Sequence, residues 1–173
     1  KVVDDQGLEL GPNTPGELLV RPMKPYSMLL EYYKMPEKTV EAWRDMWFHT
    51  GDFLVYDEEG YFRFVDRKKD MIIMSGWKIY PTEVENVIIR QPAVADVAVF
   101  GVPDERKGEV PVAAIVFRPG MTLSEKDLEA YCRDHMAGYK IPRKLMVLDS
   151  LPRVHGWKLL RRELREQFRN SAG

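Results

Sequence analysis

The chain has 173 residues, 45% hydrophobic and 31% charged, an ordinary composition for a globular protein of one domain or two small ones. With 26 Lys+Arg against 27 Asp+Glu, the formal net charge is -1, which argues against a global field for nucleic acid. The single cysteine, Cys132, excludes an internal disulfide framework and fits a reducing compartment, and no apolar run approaches a membrane span.

The opening "KVVDDQGLELGPNTPGELLV" has neither an initiator Met nor a signal-peptide core, and reads as the middle of a domain in a longer chain. Residues 1–66 are expected to be short strands between turns. "GELLVRP" and "GYFRFVD" are β-type runs; "DDQG" and "DEEG" are turn sequences. "MPEKTVEAWRD" predicts a short helix opened by Pro36 and Glu37. Apolar positions are scattered here, so this third is expected to lean on a larger partner.

"MIIM" and "KIY" then predict two short strands around a Ser-Gly turn. Pro81 in the first turn, with Glu83 and Glu85 following, predicts a helix to about Arg90, striped by Val84, Val87 and Ile88. "VADVAVFGVPD" and "VPVAAIVFRPG" predict a pair of strands, and "GVPDERKGEVPVA" reads as the loop between them, where Arg106 and Lys107 are placed to grip a phosphate. "LSEKDLEAYCRDHM" predicts a helix with Ser124 as N-cap and Asp127 three residues on. "RKLMVLDSLP" predicts a third strand and "KLLRRELREQF" a closing helix.

Several stretches carry polar groups suited to chemistry. "WFHTGD" puts the Asp52 carboxylate after a glycine at a β edge, suited to a pair of ribose hydroxyls; it equally reads as a turn aspartate. Arg67, with Lys68 and Lys69 after it, suits phosphate or ribose oxygens, or forms a solvated charged face. Gly76 beside Trp77 lets an extended ligand pass close to the backbone, or simply makes a hairpin turn. His49, His135 and His155 lie too far apart for metal-ligand spacing, so no metal site is expected, and Cys132 on a helix face suits a core position. In "LPRVHGWKLLRREL", Lys158 sits on the loop side of a helix boundary, where a lysine is ordinarily a solvated charge.

The order and spacing of "TGD", "DRKKDMI", "GWKIYPTEVE" and "LPR…KLLRREL", from about Gly16 to Gln167, resemble the C-terminal third of adenylate-forming acyl-CoA synthetases. That family includes firefly-type luciferases and peptide-synthetase adenylation domains. The resemblance implies an α+β fold. A β-rich end of a large N-terminal adenylation domain would occupy 1–66 and a hinge 67–70. A small mobile C-terminal domain would fill 71–173, with a short β-hairpin and a three-stranded sheet packed by helices. It implies activation of a fatty or other carboxylic acid by ATP, with Mg held mainly by the N-terminal domain, and transfer of the acyl group to CoA in the cytoplasm. Loading of a carrier protein, or a nucleotide- or CoA-binding relative without turnover, are its alternatives.

By the same resemblance Lys158 is the catalytic lysine. Asp52 and Arg67 hold the ribose hydroxyls with Phe64 near the nucleoside, and Lys69 is the hinge. Gly76 and Trp77 line the pantetheine tunnel, while Lys78 and Arg143 are candidates for the CoA phosphates. The implied partners are the N-terminal domain and a carboxylic acid substrate, with no nucleic acid and no integral membrane segment. Two features depart from the family pattern. Trp157 stands where glycine usually precedes the lysine, and the Gly- and Ser/Thr-rich phosphate loop is absent, so this polypeptide alone is not expected to catalyse adenylation.

Overall fold

The computed structural model describes residues 1–155 and 158–171. The chain divides into two compact units, Lys1–Lys69 and Asp70–Gly173.

The first unit is an antiparallel sheet. Its strands are β1 (Val2–Val3), β2 (Gly16–Val20), β3 (Trp43–Arg44), β4 (Trp47–Tyr56) and β5 (Phe62–Arg67), with helix α1 (Pro36–Ala42) between β2 and β3. Strand β4 is the organiser, pairing with β2, β3 and β5. The "DEEG" stretch makes the β4–β5 turn: Asp57 Oδ1 accepts from the backbone N–H of Glu59 and of Tyr61, the self-bonding that favours Asp in turns. Val2, Val3, Leu19, Phe53 and Val55 are its buried apolar side chains, a small core for 69 residues. Tyr26, Leu30 and Tyr33 are at least 80% exposed on the long connection before α1.

The second unit holds the main core. Strands β6 (Ile72–Met74) and β7 (Trp77–Ile79) form a hairpin, helix α2 (Pro81–Ile88) follows, and β8 (Val94–Asp104) and β9 (Gly108–Phe117) form a long antiparallel pair. Helix α3 (Glu125–His135), strand β10 (Lys144–Val147), the short strands β11 (Arg153–Val154) and β12 (Lys158–Leu159), and helix α4 (Arg161–Ser171) complete it. The first hairpin and the β8–β9 pair share one sheet, in the order β10-β9-β6-β7 with β8 on β9. A single bridge, Met74 to Gly108, joins the hairpin to that sheet, and β10 runs parallel to β9.

From Val99 to Val102 and from Val110 to Ile115 every residue is buried, so both sheet faces are covered there. That explains why these segments are continuous apolar runs rather than alternating ones. Helices supply Val84 and Ile88 (α2), Leu128 and Cys132 (α3) and Leu164 (α4) to the same core. Burial pushes the Cys132 thiol up to about 11, which keeps it a protonated core side chain.

Local signals placed several elements. Ser124 Oγ accepts from the backbone N–H of Asp127 and donates to its carboxylate, an N-cap at the start of α3. Pro81 is the first residue of α2, which ends at Ile88 rather than about Arg90. The "GVPDERKGEVPVA" stretch is mostly strand: β8 runs to Asp104 and β9 starts at Gly108. The loop is only three residues because Asp104 Oδ1 accepts from the N–H groups of Arg106 and Lys107 and folds the tip. The closing helix begins at Arg161, since Lys158 and Leu159 pair with β11 first.

Candidate functional site

Within the first unit, the polar groups of interest lie on the β4–β5 ribbon. Thr50 Oγ1 donates to Leu18 O on β2 and accepts from the Asp52 backbone N–H, which pins the strand around Gly51, whose φ of 69° favours glycine. Across the ribbon Asp52 pairs with Arg67 and Leu54 with Phe64, and Arg67 Nε stands 3.1 Å from Asp52 Oδ1. Simple alternation would send Phe64 and Arg67 to opposite faces. The register shifts between Phe53 and Leu54, however, so the extra residue, Val65, restores both to the face of Asp52 and Leu54. Phe64 is 50% exposed there, and the buried Asp52 Oδ1 accepts no hydrogen bond among the described residues. A half-open aromatic ring, a partly exposed carboxylate and the guanidinium paired with it therefore share one face.

The opposite face buries Glu17, Phe53 and Asp66. Glu17 Oε2 accepts from Lys68 Nζ at 2.7 Å and lies 3.3 Å from His49 Nδ1. Burial, the largest single influence, raises the Glu17 carboxyl, but the Lys68 ammonium and His49 together outweigh it and hold it below its ordinary value. Arg44 Nη2 is 3.1 Å from the same His49 Nδ1. A guanidinium only donates, so accepting from Arg44 leaves Nδ1 no proton for Glu17, and the two contacts exclude each other. A cleft of about 570 Å³ is lined by Lys38, Arg44, Lys68 and Lys69 with Glu17 and Glu41, and also by Arg67, so residues from both faces of the ribbon border it. The sequence reading passed over Glu17, Arg44 and Lys38. The available signal was Glu17 alternating in phase with the inward Leu19. Lys69 is the last residue of the first unit, exposed in the 3-10 turn Lys68–Asp70.

In the second unit, Ser75 (φ 50°) and Gly76 (φ 85°) form the two-residue turn between β6 and β7, the pair of left-handed residues a tight hairpin demands. The Ser75 N–H donates to Lys107 O, docking this tip on the β8–β9 tip. Trp77 is 58% exposed and stacks on Tyr139 with ring centroids 4.9 Å apart. Tyr139 belongs to the 3-10 turn Gly138–Lys140, where Lys140 Nζ donates to Glu83 of α2. Burial lowers the Lys140 ammonium, but the Glu83 hydrogen bond and charge outweigh it and raise it above its ordinary value. Lys78, in β7, is partly buried. Arg143 is fixed through its backbone N–H to Pro111 O, while its guanidinium reaches Gly138 O at 3.4 Å. Gly76, Trp77 and Lys78 are thus contiguous on one hairpin, and Arg143 reaches the turn that carries the Trp77 stack.

Lys158 is exposed on β12, paired with Val154 of β11. Arg153 Nη2 grips Asp96 through both carboxylate oxygens, at 3.0 and 2.8 Å, and the Leu160 N–H donates to Pro152 O, so the base of this small hairpin is anchored. Trp157, the residue that departs from the family pattern, lies outside the described residues. Lys158 belongs to the second unit, and Asp52, Phe64 and Arg67 to the first. Among the described residues no group of three or more His, Cys, Asp or Glu side chains is arranged to hold a metal, and no helix is long and apolar enough to cross a membrane.

Residues 83–158 match the AMP-binding enzyme C-terminal domain. Over 169 residues, 98% of the chain, the sequence is 44% identical to a long-chain-fatty-acid–CoA ligase of Escherichia coli O157:H7, of which it covers 29%. It is 43% identical over 169 residues to the fatty acid–[acyl-carrier-protein] ligase ScoC of Streptomyces coeruleorubidus, covering 97% of this chain and 32% of that protein. The o-succinylbenzoate CoA synthetase of Bacillus subtilis, solved with its acyl-adenylate intermediate, superimposes with a TM-score of 0.83 at 37% identity, over 95% of this chain and 33% of that one. The chain thus spans about a third of the length of such relatives. The match takes in nearly the whole chain, which is similar to the C-terminal portion of AMP-dependent, adenylate-forming synthetases.

Proposed function

We propose that the chain is the C-terminal part of an acyl-CoA synthetase that joins a fatty or other carboxylic acid to AMP, releasing pyrophosphate, and then passes the acyl group to the thiol of CoA with loss of AMP. The observation that carries the reading is the shared face of Asp52, Phe64 and Arg67: the carboxylate suits vicinal ribose hydroxyls, the ring suits the nucleoside, and the guanidinium braces the carboxylate at 3.1 Å.

In this reading Lys158 supplies a positive charge to the carboxylate and α-phosphate oxygens as negative charge grows on them. A lysine on a small anchored hairpin of the second unit can be delivered to, or withdrawn from, a site elsewhere by rotation at Lys69, which ends the first unit. The Gly76–Lys78 hairpin with Tyr139 and Arg143 offers an apolar wall and cations for the pantetheine arm and phosphates of CoA. Triphosphate and Mg would be held mainly by an N-terminal domain, since no Gly-rich phosphate loop occurs in this chain. The enzyme would work in the cytoplasm. A carrier-protein thiol is the alternative acceptor, a reading favoured by the 43% identity to ScoC.

The test is pyrophosphate release by the full-length synthetase with a panel of carboxylic acids, with and without Lys158→Ala. Acid-dependent release that falls on the order of a hundredfold or more on substitution is expected. Release that survives the substitution unchanged removes Lys158 from the chemistry, and no release with any acid overturns the ligase reading. Offering CoA and a carrier protein separately decides the acceptor.

A further inference from the structure

We infer that Arg161 is a positioning residue that ties the strand bearing Lys158 to Asp70, the first residue of the second unit; the inference rests on the synthetase reading above. Arg161 opens α4 three residues after Lys158, and its side chain is only 15% exposed. Its guanidinium has three partners on three elements. Nε donates to Val99 O of β8 at 3.1 Å, Nη2 donates to Glu85 Oε1 of α2 at 2.7 Å, and Nη1 lies 3.7 Å from Asp70 Oδ2. Asp70, at 13% side-chain exposure, is buried as deeply as the arginine.

Part of this arrangement is edge repair. Among the described residues β8 has β9 as its one strand partner, so its other edge leaves backbone groups to satisfy. Glu85 Oε1 accepts from the Val99 N–H, Arg161 donates to Val99 O, and one turn later Arg165 Nε donates to Gly101 O at 3.2 Å. Arg165 does this with no acidic partner among the described residues. Edge repair therefore explains Arg165 fully but leaves the Asp70 arm of Arg161 unexplained.

That arm joins the residue at the junction of the two units to the helix that extends β12. Because Leu160 alone separates β12 from Arg161, a shift of the α4 N-terminus moves Lys158 with it. A guanidinium with its fixed fork suits this three-way task, whereas a lysine would satisfy one partner at a time. The arrangement makes the placement of Lys158 sensitive to the conformation of the chain at Asp70, without Arg161 touching substrate.

The test compares Arg161→Gln, Asp70→Asn, their double variant and Arg165→Gln in the full-length synthetase. Arg161→Gln and Asp70→Asn are each expected to lower kcat for acid-dependent pyrophosphate release about tenfold or more. KM for ATP and acid should stay within about twofold, and the double variant should be no slower than Arg161→Gln. Arg165→Gln removes a comparable edge contact and should lose stability without losing rate. Equal loss of rate in Arg161→Gln and Arg165→Gln, or a normal rate in Asp70→Asn, overturns the inference; should Arg161→Gln not fold, Asp70→Asn decides. If the unsubstituted synthetase releases no pyrophosphate, the ligase reading has failed and amide exchange in the 173-residue chain judges the coupling separately. Exchange at Leu160, whose N–H donates to Pro152 O, should quicken about tenfold in Arg161→Gln and Asp70→Asn but not in Arg165→Gln, and unchanged exchange overturns it.

Discussion

Phe64 and Arg67 stand three positions apart on one strand and yet face the same way, because Val65 is an unpaired extra residue between them. In an unbroken strand an odd separation puts side chains on opposite faces. The bulge therefore assembles the surface on which a ring, a guanidinium and the Asp52 carboxylate meet. The buried Asp66 lies on the other face, paired with Phe53, where its Oδ1 accepts from the Arg67 backbone N–H. That bond stiffens the turn of the chain at Arg67.

Phe64→Ala and Arg67→Ala should each raise KM for ATP about tenfold in the full-length synthetase, with little change in KM for the acid. Both side chains are half-exposed, so the melting of the chain should move by no more than about 0.5 kcal/mol. Steady-state pyrophosphate release against ATP concentration, beside thermal melting, checks both statements. A change confined to the acid would detach this face from the nucleotide.

The Trp77–Tyr139 stack leads to a different expectation. Tyr139→Ala leaves the Trp77 indole, already 58% exposed, without its ring partner. Such pairs are worth about 0.5–1.5 kcal/mol beyond their buried area, so KM for CoA should rise about twofold to tenfold while pyrophosphate release is unaffected. Stopped-flow measurement of thioester formation from preformed acyl-adenylate separates the two halves of the reaction. An equal loss in both halves would make the stack a general support rather than a wall for the acceptor.

How much of this was legible beforehand follows the range of the forces involved. The N-cap at Ser124, Pro81 at the head of α2 and the Ser75-Gly76 turn are set by neighbours a few residues apart, and the sequence shows them directly. The long apolar runs of β8 and β9 announce a buried pair. The Val65 bulge was not legible, since it exists only as a mismatch between two strands. The Arg161 cluster escaped for a related reason: its partners lie 62 to 91 positions away in the chain, and "KLLRREL" by itself reads as a solvated basic helix. Motif order supplied the proposed roles of Asp52, Arg67 and Lys158, which remain proposals; it did not supply the geometry that brings Asp52 to Arg67, nor the strand pairing that holds Lys158.

Glu17 gives the first unit a defined acid response. Its carboxyl is only 7% exposed, and its ionised form is favoured because Lys68, with help from His49, outweighs the desolvation that opposes it. A native-state pKa below the ordinary 4.5 means that the unfolded chain takes up this proton first as pH falls. The stabilisation is therefore complete above about pH 4.5 and is lost as pH falls through the lowered native value. Lys68→Met removes the larger of the opposing influences and leaves a nearly buried carboxylate whose desolvation is no longer offset. The Lys68 side chain is 42% exposed, so the cost at neutral pH should be limited to about 1–2 kcal/mol. The acid-unfolding midpoint should move to higher pH, and Glu17→Gln in the same background should bring it back down. Trp43 and Trp47 both belong to this unit, and their fluorescence followed from pH 7 to pH 3 reports the transition. An acid midpoint that does not move in Lys68→Met would show that His49 alone keeps Glu17 ionised, which requires the His49 proton to face Glu17 rather than its lone pair to face Arg44.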